Sequence, residues 1–92
     1  MKTKYYNLNF VQTKTLLIVE PQKNGTIKRI AIDYENDLLI NKQIVTDTKI
    51  IDGINKNYAD FEISRIAAEN LLTGKKTKKE LFIEATQTLT LF

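Results

Sequence analysis

The 92-residue chain contains no histidine and no cysteine. Imidazole titrates near neutrality, and thiolate and imidazole are the usual nucleophile, base and zinc ligand. Their absence excludes Ser-His-Asp and Cys-His catalysis, the common structural zinc sites and any disulfide. Tryptophan is also absent, and glycine and proline are scarce, with three and one respectively. The glycines Gly25, Gly53 and Gly74 are isolated, so neither G-x-x-x-x-G-K nor G-x-G-x-x-G occurs, which argues against nucleotide-driven function. No run approaches the ~20 apolar residues of a membrane span. The start Met1-Lys2-Thr3-Lys4-Tyr5-Tyr6-Asn7 lacks the apolar core of a signal peptide, so a cytoplasmic protein with no membrane partner is expected.

What is present is an aliphatic chain, 42% hydrophobic, of a length that buries roughly 64% of its surface on folding. One domain over residues 1–92 is expected, with one core. The net charge of +3 is unevenly placed. Lys2 to Ile32 holds six bases and one acid, Asp33 to Leu72 four bases and eight acids, and Thr73 to Phe92 four bases and two acids. A polarised surface follows if the fold keeps these segments apart.

The hydrophobic period assigns the elements. Tyr6, Leu8 and Phe10 alternate with Asn7 and Asn9, which predicts a strand over 3–11. Leu16-Leu17-Ile18-Val19 is a continuous run suited to an interior strand, joined to the first by a tight hairpin. Asn24-Gly25 suggests a two-residue hairpin turn with positive φ angles. Thr26 to Tyr34 then places Ile30, Ile32 and Tyr34 on one face and Arg29, Ala31 and Asp33 on the other. Glu35-Asn36-Asp37 reads as a turn, and Leu38 to Val45 as a fourth strand interrupted at Asn41-Lys42-Gln43. Residues 47–57 read as irregular, with one helical turn as the alternative, because Gly53 and its Asp and Asn neighbours oppose the helical spacing of Ile50, Ile51 and Ile54.

From Tyr58 the spacing of Ile63, Ile66, Ala67 and Leu71 predicts a helix over 59–73 with Gly74 at its end. Thr77-Lys78-Lys79-Glu80 has the capping-box pattern and predicts a shorter helix over 78–86. The alternation of Thr86 to Phe92 makes an extended tail, and one strand from Glu80 to Phe92 is the alternative. The expected fold is α+β: an antiparallel sheet of three or four strands, covered on one face by the 59–73 helix and a shorter C-terminal helix or strand.

Four features could carry chemistry. Asp33-x-Glu35-x-Asp37 resembles the opening of a calcium loop, but the required Gly and Glu positions hold Leu38 and Ile44, so a solvated turn is expected and no metal site. Glu20 and Glu84 border apolar segments, where edge or surface positions are expected. Lys75, Lys76, Lys78 and Lys79 form the densest charge run, which with Lys28, Arg29 and a stacking Tyr5 or Tyr6 could meet phosphates. The end Leu89-Thr90-Leu91-Phe92 is apolar to its last residue, so Leu89, Leu91 and Phe92 either pack on the sheet or dock on a partner or second copy.

No catalytic residues and no cofactor are expected. The function most compatible with the chain is a non-catalytic binding module that occupies a surface of a protein or nucleoprotein. Shortness and the Lys/Ile/Asn bias suit a phage or mobile-element modulator or inhibitor of a nucleoprotein enzyme. The alternatives are a nucleic-acid binder with a basic surface and a homo-oligomeric, for instance dimeric, docking subunit.

Overall fold

The computed structural model describes residues 2–10 and 12–78. Their order is β1 (Lys4–Phe10), β2 (Thr13–Pro21), β3 (Ile27–Asp33), β4 (Leu38–Val45), α1 (Thr48–Asn57), a 3-10 turn (Ala59–Phe61), β5 (Glu62–Ile63), α2 (Arg65–Leu71) and the helical turn α3 (Lys76–Lys78). The strands form one antiparallel sheet in the order β4-β3-β2-β1-β5. The α+β class is as expected, and the sheet has five strands, the last of two residues, where three or four were expected.

The first hairpin is tight, with Phe10 opposite Thr13. The second is wider than the two-residue turn expected at Asn24-Gly25. Pairing closes at Pro21 opposite Ile27, and of the two turn residues Gly25 has the positive φ, at 80°. Asn24 instead uses its side chain, whose Oδ1 accepts from the Thr26 hydroxyl at 2.6 Å. In β4 the polar interruption coincides with a bulge: Ala31 faces Asn41 and Ile32 faces Leu39, so Ile40 is the extra residue.

The expectation of one covered face is corrected, because the sheet has a core on each side. On one face Tyr6, Leu8, Leu17, Val19, Ile27, Ala31 and Val45 pack with Ile54 of α1, flanked by Ile51, Tyr58 and Phe61. On the other, Leu16, Ile18, Ile30 and Ile32 pack with Ala68 and Leu72, flanked by Tyr5, Tyr34, Ile63 and Leu71. The strand period of two divides these sets, and the continuous run in β2 serves both.

Residues 48–57 are helical rather than irregular. The Asp47 carboxylate accepts from the Lys49 N–H at 2.9 Å and caps α1. Burial of Ile54, with Ile51 packed beside it, offsets the Gly53 penalty. Conversely, the single helix over 59–73 is broken. The chain rounds the β1 edge through β5, where Tyr5 faces Ile63 and Tyr6 faces Glu62, and so passes from the α1 face to the α2 face. Ser64 then restarts the helix, its Oγ accepting from the Ala67 N–H at 3.1 Å. The buried residues of α2 and its cap are Ala68 and Leu72, whereas Ile66, placed in the predicted apolar stripe, is 72% exposed.

Candidate docking surface

β4 is a sheet edge with a large exposed apolar content. Leu38, Leu39, Ile40 and Ile44 are 60%, 44%, 57% and 56% exposed, and Val45 is the one buried residue of the strand. Among the described residues no strand pairs with its outer side. Its backbone donors and acceptors there are a template for another strand. Natural edges are blunted with charge, proline or bulges; β4 has Lys42 and the bulge, but four bare aliphatic side chains remain.

Both faces beside this edge are open. On the α2 face a cavity of about 290 Å³ is lined by Lys28, Lys42, Gln43 and Ile44. On the α1 face a cavity of about 210 Å³ is lined by Arg29, Ile50, Gly53, Ile54, Asn57 and Tyr58. A further cavity of about 190 Å³ flanks α1 near the start of β1, with Lys2 and Lys4 above Val19, Pro21, Ile27 and Ile51.

The residues singled out from sequence are dispersed. Lys28 and Arg29 are consecutive on β3 and therefore project to opposite faces. Lys75, Lys76 and Lys78 lie beside the β3–β4 turn, at the far end of β3 from Lys28, roughly 16 Å away along the strand. Tyr6 is buried in the α1-face core at 1% exposure and offers no stacking surface. Tyr5 is half-buried against the α2-face core; burial pushes its phenol above the usual value, with Arg65 pulling the other way. Lys79, Glu84 and the docking-tail residues Leu89, Leu91 and Phe92 lie outside the described residues, as do the alternatives of helix or strand over 80–92. Glu20 sits half-buried at the end of β2, opposite Lys28.

The acidic turn and the basic run meet. Asp33 closes its own turn, accepting from the N–H groups of Glu35 and Asn36 at 3.1 and 3.0 Å and from Asn36 Nδ2 at 2.8 Å. Asp37, in the left-handed region at φ 57°, reaches across the fold to the start of α3. Its carboxylate accepts from the N–H groups of Lys76 and Thr77 at 2.8 and 3.1 Å and from the Thr77 hydroxyl at 2.7 Å. Asp37 thus binds the start of α3 from 40 positions before Thr77, which donates its hydroxyl to it, while Glu80, the other half of the expected capping box, and the expected helix beyond residue 78 lie outside the described residues. The Asn36 amide holds the Asp33 carboxyl below its usual range, and the Lys76 N–H does the same for Asp37. Among the described residues no group of three or more acids is placed to hold a metal ion.

Sequence reasoning named Arg29 but missed its surroundings, because Ile50, Gly53, Ile54 and Asn57 fell in the segment read as irregular. It also missed the exposure of β4. The available signal was Asn41-Lys42-Gln43, which interrupts the apolar pattern as an edge strand would. Among the described residues no helix is long and apolar enough to cross a membrane. Comparison with protein-family models, with curated proteins and with solved structures finds no match.

Proposed function

We propose that the chain is a non-catalytic docking module that presents β4 to an extended segment of a protein partner. The observation that carries this reading is an eight-residue edge strand with four exposed aliphatic side chains and no strand on its outer side among the described residues. A partner segment adding to β4 gains main-chain hydrogen bonds from the ladder and selectivity from alternate side chains. The absence of histidine and cysteine supports a binding rather than a catalytic role.

The alternative of nucleic-acid binding draws less support, since Lys28, Arg29 and the Lys75–Lys78 group are spread over two faces and two ends of β3. The test is capture from the native host, with and without nuclease, by the wild type and by Leu39→Glu/Ile44→Glu. The proposal expects a protein retained after nuclease by the wild type and lost by the variant, with equal melting temperatures. Identical capture by both proteins, or capture abolished by nuclease, contradicts it.

A further inference from the structure

The geometry points to the Arg29 cavity as a receptor for a glutamate side chain on the segment that pairs with β4, an inference that rests on the docking reading above. Arg29 faces the α1 side of the sheet, between Val19 of β2 and Gln43 of β4. Its Nε is sealed from solvent and has no hydrogen-bond partner. Among the described residues the one ion pair is Arg65 with Glu69, so Arg29 has no acid of its own there. A guanidinium stays charged at any accessible pH, and a buried N–H without an acceptor is a standing penalty. With Nε sealed, a ligand entering from solvent meets the outer guanidinium nitrogens, and a carboxylate suits them best because its two oxygens match their planar fork.

The cavity walls specify the ligand further. Ile50, Ile54 and Tyr58 offer apolar surface to an aliphatic stem, while a phosphate would shed much of its hydration against one cation. Gly53 forms part of the wall in the middle of α1. A Cβ there would meet nothing closer than Asn57 Nδ2 at 3.9 Å, and its φ is not positive. Neither crowding nor backbone geometry requires glycine at this position; its effect is to leave the cavity unfilled. A strand added to β4 opposite Gln43 would lie two strand spacings from Arg29, roughly 10 Å. A glutamate and the arginine together span that distance better than an aspartate.

The probe is a blocked glutamate, N-acetyl-glutamate N-methylamide, titrated into nitrogen-15-labelled protein at constant ionic strength while the Arg29 Nε–H resonance is followed. Its glutamine counterpart and inorganic phosphate are the controls. The inference expects a saturable shift with the glutamate alone, abolished in Gly53→Leu, whose side chain fills the cavity while Arg29 and its resonance remain. No saturable shift, or an equal one with phosphate, overturns it. So does a changed Arg29 Nε–H resonance in Glu80→Gln or Glu84→Gln without probe, since the acceptor would then belong to this chain. Leu39→Glu/Ile44→Glu should titrate like the wild type, so loss of the docking reading and loss of the Arg29 site are separately visible.

Discussion

β2 and β4 are written in nearly the same alphabet and meet opposite fates. β2 has four aliphatic residues in nine, Leu16, Leu17, Ile18 and Val19, all buried; β4 has five in eight, of which Val45 alone is buried. The difference is position. β2 lies between β1 and β3 with α1 on one face and α2 on the other, whereas β4 has one neighbour among the described residues and neither helix covers it fully. Composition states how much apolar surface a strand carries, and topology decides whether the core uses it. What the core leaves unused on β4 is the material of the proposed interface.

The comparison breaks most visibly in β2. Leu16→Ala should destabilise the fold by about 2–5 kcal/mol in a urea titration, since Leu16 is fully buried under Ala68 and Leu72. A loss below about 1 kcal/mol would show that the α2 face is not a packed core. Gly53→Ala acts in the other direction: a mid-helix glycine with room for a methyl group should gain about 0.5–1 kcal/mol on substitution. An unchanged or lower midpoint would mean that α1 is not a regular helix at this position.

The clasp between the acidic turn and α3 is sharpened by pH. The Lys76 N–H holds the Asp37 carboxyl below its ordinary value of 3.8 when folded, so the unfolded chain binds its proton first as pH falls. Its contribution is present above pH 3.8 and is lost as pH falls through the lower folded value. Asp37→Asn keeps a residue tolerant of positive φ and should remove this share of the acid sensitivity, with faster exchange of the Lys76 and Thr77 amides. A carbon-13 titration of Asp37 with a midpoint at or above 3.8 would count against the clasp.

Smallest are the effects expected at exposed aliphatic positions. Ile66→Ala and Ile44→Thr should both stay within about 0.5 kcal/mol of the parent, because neither side chain is in the core. A loss of 2 kcal/mol or more at Ile44, against the small surface effect expected, would place it in a packed core.

Legibility followed the local pattern. β1 and β3 could be read because Tyr6/Leu8 and Ile30/Ile32 keep a strict period of two, and β2 because its unbroken run admits an interior strand. α1 was hidden by Gly53 and the surrounding Asp and Asn, whose local preferences are overridden by burial of Ile54 and the Asp47 cap. The helix over 59–73 holds over Arg65–Leu71 and is interrupted before it for the inverse reason: Tyr58, Ile63 and Ile66 fit a helical stripe, yet pairing of Glu62 and Ile63 with β1 turns the chain around the sheet edge. The cap from Asp37 to α3 and the cavity at Arg29 join residues far apart in sequence, and no spacing rule announces either. The exposed edge was legible in part, through the polar centre of β4.

The central claim, that β4 is a docking strand, is tested most directly by a photoreactive amino acid placed in turn at Ile40, Ile44 and Ile66 in the native host. Ile66 is as exposed as the β4 residues but lies on α2, so it controls for exposure alone. The account predicts discrete protein adducts from positions 40 and 44, none from 66, and their loss when Leu39→Glu is added. Adducts of equal pattern from all three positions, or from β4 only within the same chain, would contradict it.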